Sequence, residues 1–271
     1  MVYDIPKLPP RPKNSNKGTF GKVLNIAGSD YMRGAGYLSS ISALKIGAGY
    51  VEILSSEKVL DTISTLAPEI VLTPITKLKD VIKDATVISI GCGLSTSEDA
   101  VKLFNQTLEL RNNQPIIIDA DGLNILSKTE FNFDRKAILT PHPKEASRLL
   151  NCSLEEVLKD VKTSARKIAE KYNCITVLKT HQTIVTDGEN FYQNSSGNSA
   201  LAKAGSGDVL CGMITGLVAQ NMNLFDASVI AVYLHGLAGE LASKDLTEYC
   251  VLASDLVSYI PKAILRAESH T

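Results

Sequence analysis

The chain has 271 residues, 44% hydrophobic and 21% charged, a balance that can bury a substantial core in one large α/β domain or two small ones. Lysine plus arginine number 28 against 29 for aspartate plus glutamate, so no global field favours nucleic acid or an anionic membrane. The five cysteines, at 92, 152, 174, 211 and 250, are an odd set without a close pair; they fit reduced, buried thiols better than a disulfide framework or a zinc site. The opening "MVYDIPKLPPRPKNSNKG" lacks an apolar secretory segment, and no run reads as long enough to span a bilayer. The expectation is a cytoplasmic protein that contacts neither nucleic acid nor membrane.

In chain order, short β-branched runs alternate with longer periodic segments, the pattern of parallel strands joined by helical crossovers. "GKVLNIAG" predicts a strand, "AGYLSSISALKIGAGY" a small-residue helix packed on the sheet, and "VEIL" the next strand. "ATVISIGCG" predicts a buried strand ending in glycines. Ser95 and Glu98 then have capping-box spacing for a helix running to about residue 111. "PIIIDADG" and "KAILTPHP" predict two more strands. Ser153 and Glu156 repeat the capping spacing before one long amphipathic helix, with Leu154, Val157, Leu158, Val161, Ala165 and Ile168 near helical spacing. "CITVLKT" returns to the sheet, and "QTIVTDGENFYQ" reads as a hairpin around Asp-Gly. From Asp208 the rest is helical. The expected organisation is a single α/β domain over 1–271, with its core at about 18–264 and an extended N-terminal segment at 1–17.

Polar motifs fall after successive strands: "AGSDYMRGAG", "GCGLS", "DADGLN", "TPHPKE" and "KTHQT". In an open parallel sheet these positions share the carboxyl edge, where ligands collect. A sixth motif, "AGSGDVLCG", opens a helix. Backbone N–H groups at a helix start are unpaired and lie at the positive end of the dipole, which makes an anion cradle. Gly205 and Gly207 would let a ligand approach the backbone, with Asp208 at the mouth. An ordinary Asp-capped helix accounts for the tetrapeptide equally well. Each of the other motifs also has a plain turn reading, so the functional signal is their convergence.

Together, "LTPHPKE", "DADGLN", "VLKTHQT" and "GNSALAKAGSGDVLCGMITGLVAQ", followed by "YLHGLAGELA" and "ASDL", resemble the ADP/ATP-dependent NAD(P)H-hydrate dehydratases of the ribokinase-like superfamily. The resemblance runs from about Gly18 to Ile264. It implies a three-layer α/β/α fold with a central, mostly parallel sheet. It also implies a hydro-lyase that dehydrates the S epimer of NADH or NADPH hydrate, with ADP or ATP as co-substrate and Mg2+ as cofactor. Asp208 would be the catalytic base. Ala35, Gly93, His142 and Asp208 would line the hydrate pocket. Lys179, Thr180, His181, Gln182, Thr183 and Gly207 would hold the nucleotide. Gly205, Ser206 and Gly207 would form the anion hole, and Asn198 would orient phosphate or a metal-bound water.

This chain departs from the family pattern at Cys92, where proline is usual, and at Ser95, Thr180, Ala200 and Ala204, where glycine is usual. The epimerase domain often fused ahead of this one is not in the sequence, so the resemblance implies a functional link to a separate NAD(P)H-hydrate epimerase. Apolar residues beyond one stripe of the C-terminal helices, including Val229, Val232, Tyr233 and Leu237, suggest a homo-oligomer. Two other functions share the architecture: a small-molecule kinase acting on hydroxymethylpyrimidine, hydroxyethylthiazole or a sugar, and a non-catalytic nucleotide sensor.

Overall fold

The structure, a computed structural model, describes residues 4–269. Nine strands form one sheet: β1 (Lys22–Ile26), β2 (Tyr50–Ser55), β3 (Val71–Pro74), β4 (Val87–Ile90), β5 (Ile116–Ile118), β6 (Ala137–Leu139), β7 (Ile175–Leu178), β8 (Ile184–Thr186) and β9 (Phe191–Gln193). Their order is β3-β2-β1-β4-β5-β6-β7-β8-β9. β1 to β7 are parallel, and β8 and β9 are antiparallel. The central strands read as unbroken apolar runs because both faces are covered; every residue of β4 and β5 is buried. The chain winds outward from β1 through β2 to β3, then returns to the other side of β1 as β4. The sheet therefore changes direction between β1 and β4, and a ligand crevice belongs at that switch.

Helices α1 (Arg33–Lys45), α2 (Glu57–Leu66), α9 (Ser206–Ala219), α10 (Leu224–Cys250) and α11 (Ala253–Glu268) cover one face. Helices α3 (Leu78–Val81), α4 (Glu98–Leu110), α5 (Asp121–Leu126), α6 (Pro143–Leu150), α7 (Leu154–Lys159) and α8 (Val161–Tyr172) cover the other. Alternation along the strands divides the core, with Val23, Ile53, Ile117 and Val177 on the first face and Leu24, Leu54, Ile118 and Leu178 on the second. The small residues of α1 serve a close crossing with α9 as well as contact with the sheet. A Cβ on Gly212 would lie 2.1 Å from the Ser39 carbonyl oxygen, and one on Gly216 would lie 2.5 Å from that of Ala43. Buried Asn25 on β1 donates to Ser39 and Ser40 Oγ on α1, both at 2.8 Å, and accepts from Ser89 Oγ on β4 at 2.7 Å. That network ties α1 to the two strands flanking the switch.

Several expectations need correction. Ser95 does not cap α4: it has φ 69° and donates its N–H to Asp121, while Ser97 Oγ accepts from Ala100 N–H at 3.3 Å. The helix expected from Leu154 to Ile168 breaks at Asp160, whose extended backbone ends α7 and whose carboxylate caps α8. As a result Leu154 and Leu158 are exposed rather than on the buried stripe. The last helical region begins at Ser206, two residues before Asp208. Helix α10 is long and apolar enough to cross a membrane by length and composition alone, contrary to the sequence reading, but 72% of its apolar window is buried within the protein. Val229, Val232 and Leu237 pack into this chain's own core, so they offer no outward face for assembly; Tyr233 is half-buried. Of the expected extended segment, residues 1–3 lie outside the described part, and residues 4–16 form neither helix nor strand.

Candidate active site

The parallel sheet brings the six motifs to one edge, and direct contacts link them. After β1, Gly28 N–H donates to the Cys92 carbonyl at 2.8 Å, joining "AGSD" to "GCGLS" across the switch. Gly93, at φ 61°, sits against α1: a Cβ there would meet the Ala35 Cβ at 2.7 Å and the Met32 carbonyl at 2.9 Å. Ala35 and Gly93 are thus neighbours, and both must be small. Ser29 Oγ, in the same crevice wall, is buried without a hydrogen-bond partner among the described residues. Gly91 packs on the "DADG" turn, where a Cβ would lie 2.1 Å from the Asp119 carbonyl.

At the end of β5, Asp119 is 1% exposed. Its Oδ1 accepts from Lys179 Nζ at 2.6 Å and from Ala120 N–H at 2.8 Å. Lys179 is therefore ion-paired at the strand end rather than free in solvent. Burial opposes its ammonium form, but the Asp119 and Glu145 carboxylates outweigh that penalty and hold its pKa above the usual lysine range. Both partners face the start of α9: a Cβ on Gly207 would lie 3.3 Å from Lys179 Nζ and 3.8 Å from Asp119 Oδ2.

Glycine permits that helix start. Gly205 is the cap residue at φ 90° and makes no side-chain cap. Its carbonyl accepts from Val209 N–H at 3.1 Å, while Ser206 N–H donates back to the Lys203 carbonyl at 3.2 Å. Within the expected anion hole over 205–207, Ser206 N–H is already used, while the N–H groups of Gly205, Gly207 and Asp208 have no partner among the described residues. Ser206 Oγ lies 3.2 Å from Nε2 of buried His235, and burial drives that histidine down to about 4, so it is neutral. Asp208 is the third residue of the helix rather than its cap. Burial, then repulsion from Asp119, raises its carboxyl to about 6, against relief from a Cys92 hydrogen bond and Lys179.

The remaining expected residues divide into two groups. Thr180 to Thr183 form the turn between β7 and β8, with buried Thr183 Oγ1 donating to the Thr180 carbonyl at 3.1 Å; His181 and Gln182 are exposed. His142 and Asn198 instead spend their polar atoms on the protein. His142 caps α6: Nδ1 accepts from Lys144 N–H at 3.1 Å, and Nε2 lies 3.2 Å from Glu145 Oε1. Burial, then Lys179, lowers its pKa below the usual histidine value. Burial lifts Glu145 to about 7. Asn198 Oδ1 accepts from Ala200 N–H at 3.1 Å and its Nδ2 donates to Ser243 Oγ at 2.7 Å. Sequence reasoning did not single out Asp119, although "DADG" at a strand end was the available signal.

A profile of the NAD(P)H-hydrate dehydratase family matches residues 23–262. The chain belongs to that family. It is 37% identical over 238 residues to the ADP-dependent (S)-NAD(P)H-hydrate dehydratase of Neisseria meningitidis, a match covering 85% of this chain and 80% of that one. It is also 36% identical to a bifunctional NAD(P)H-hydrate repair enzyme of Coxiella burnetii over 94% of its own length but 53% of the relative's. The chain thus spans about half the length of the bifunctional relatives it matches. Among solved structures, the ADP/ATP-dependent NAD(P)H-hydrate dehydratase of Bacillus subtilis, co-crystallised with ATP/Mg2+, superposes with a TM-score of 0.86 at 32% identity, covering 96% of this chain and 94% of that one. The architecture is that of the ribokinase-like proteins.

Proposed function

We propose that this family member dehydrates the S epimer of NADH or NADPH hydrate, using ADP or ATP and releasing phosphate. The observation that carries the reading is the start of α9, where Asp208 stands beside unpaired N–H groups and Lys179. Hydroxide at ring carbon six of the hydrate leaves badly. Phosphoryl transfer makes it a good leaving group: the hydroxyl oxygen forms a bond to phosphorus, the bond to the nucleotide breaks, and Asp208 takes the hydroxyl proton. The ring-nitrogen lone pair then expels phosphate, and loss of a proton from carbon five restores the double bond.

A carboxylate with a pKa of about 6 is ionised at neutral pH and still basic enough to hold that proton. The N–H groups of Gly207 and Asp208 would stabilise the transferring phosphoryl charge, each good donor contributing roughly 2.7 to 4 kcal/mol in comparable holes. Lys179 adds a fixed cation, held by Asp119, facing Gly207. Ala35 and Gly93 would admit the nicotinamide at the switch, and the Thr180–Thr183 turn would border the nucleotide. Mg2+ is a hard cation that takes oxygen donors, and Asp119 Oδ2, which faces Gly207, suits it. When bound, the ion neutralises phosphate charge.

The reading links the chain to an NAD(P)H-hydrate epimerase, which would supply the S epimer. Five free thiols fit a reducing cytoplasm. The test mixes the protein, hydrated NADH, Mg2+ and ADP or ATP. Return of the nicotinamide absorbance only with nucleotide is expected; nucleotide consumption without that return would move the assignment to a kinase.

A further inference from the structure

Two of the cysteines that looked unrelated in the sequence meet behind the catalytic aspartate. Cys92 follows β4 and Cys211 lies on α9, and their sulfurs and a carboxylate oxygen of Asp119 all fall within 4.8 Å of one another, with all three residues buried. The Cys92 thiol also lowers the pKa of the Asp208 carboxylate, so the two side chains are neighbours. Two thiols and the Asp119 carboxylate therefore converge, with Asp208 next to Cys92 and Lys179 the cation paired to Asp119. Partly exposed Asp208 provides a way in. The spacing alone did not show that these two cysteines lie together.

We propose that Cys92, Cys211 and Asp119 bind a soft divalent cation of the zinc type, that neighbouring Asp208 completes the ligand set, and that filling the site takes Asp208 out of the reaction. Two sulfur and two oxygen donors make a tetrahedral set that zinc and cobalt accept and magnesium does not. On binding, both S–H bonds break heterolytically, two sulfur–metal bonds form, and the protons pass to solvent without any oxidation. Proton release makes the affinity rise with pH. The binding half of the proposal is independent of the dehydratase reading, and the inhibitory half rests on it.

The test titrates the full chain with Co2+ as an optical probe, in the absence of nucleotide. The expected result is about one Co2+ per chain, with intense tetrahedral visible bands and a sulfur-to-cobalt charge-transfer band. Zn2+ should remove these bands, and excess Mg2+ should not. Cys211→Ala removes one ligand, so its affinity should fall by more than the roughly 10- to 100-fold cost of losing an outer-shell partner. Its melting temperature and Mg2+-dependent turnover should persist, and Zn2+ should no longer inhibit. Cys211→Ser preserves volume should the alanine variant fold poorly, and its weaker site should lack the parent charge-transfer intensity. Absence of a charge-transfer band in the parent would overturn the proposal. So would an unchanged band in both variants, which would place the metal on Cys152, Cys174 or Cys250. Normal Co2+ binding without zinc inhibition would overturn the inhibitory half alone.

Discussion

Helices α6 and α9 begin at the same edge of the sheet and are finished in opposite ways. At α6, His142 Nδ1 accepts from the backbone of Lys144 and Glu145, and the Glu145 carboxylate accepts from His142 N–H at 2.8 Å. At α9 the cap is a glycine with no side chain, and Gly207 and Asp208 keep their N–H groups unpaired. A closed cap stabilises a helix by about 1 kcal/mol. An open one forgoes that stability and leaves donors for an anion. On the proposed function, α9 is the chemical terminus and α6 its support.

Asp208→Asn should produce the largest separation between the two. An amide cannot take the hydroxyl proton, so turnover should drop roughly 100- to 10,000-fold, while steady-state nucleotide affinity holds or improves because a charge beside the phosphates is gone. Stability at neutral pH should hold or rise. The folded pKa of about 6 lies above the ordinary value of 3.8, so the ionised form is disfavoured by folding. That group's stabilising contribution is full below about pH 4 and is lost as pH rises through about 6. Melting temperatures across that window would show the parent losing this contribution and the asparagine variant not. The rate has the opposite sign: kcat/KM of the parent should fall about tenfold per pH unit below 6.

Lys179→Met comes next, because it leaves buried Asp119 without its ion-pair partner; denaturant unfolding should show a loss of about 3 to 5 kcal/mol. Gly207→Ala sharpens the contrast differently. Its Cβ would come within 3.3 Å of Lys179 Nζ in the phosphate cradle, so nucleotide KM should rise about tenfold for each 1.4 kcal/mol of binding lost. The helix itself should gain up to about 1 kcal/mol. The smallest effect is expected at the closed terminus, where His142→Ala should cost about 1 kcal/mol of stability through cap loss and reduce turnover far less than Asp208→Asn does.

Much of this arrangement was readable because burial on both faces writes parallel strands as continuous apolar runs: β1, β4, β5 and β7 stand where "KVLNI", "VISI", "III" and "ITVL" place them. Strand β3 and helices α2, α3, α5 and α6 were not foreseen. The latter two have 6 and 8 residues, start inside motifs that also read as turns, and draw their stability from tertiary packing more than from a repeated stripe. The break at Asp160 was hidden because apolar spacing continues across it, while the aspartate stops one helix and caps the next. In the candidate site, Asp208 stood out from its glycine context, and Lys179 was named only through the family resemblance. The Asp119–Lys179 pair spans 60 residues, and the approach of Cys92 to Cys211 depends on α9 lying against β4; neither distance is written in local sequence. His142 and Asn198 also hold local structure, His142 capping α6 and Asn198 Oδ1 accepting from Ala200 N–H while its Nδ2 reaches Ser243.

The most direct test of the central claim compares parent and Asp208→Asn preparations of equal melting temperature in one assay of hydrated NADH, nucleotide and Mg2+, reading NADH absorbance and free phosphate together. The open terminus of α9 predicts about one phosphate per NADH recovered by the parent and a loss of both signals by roughly 100-fold or more in the variant. Near-normal recovery by Asp208→Asn would contradict it and exclude Asp208 as the base.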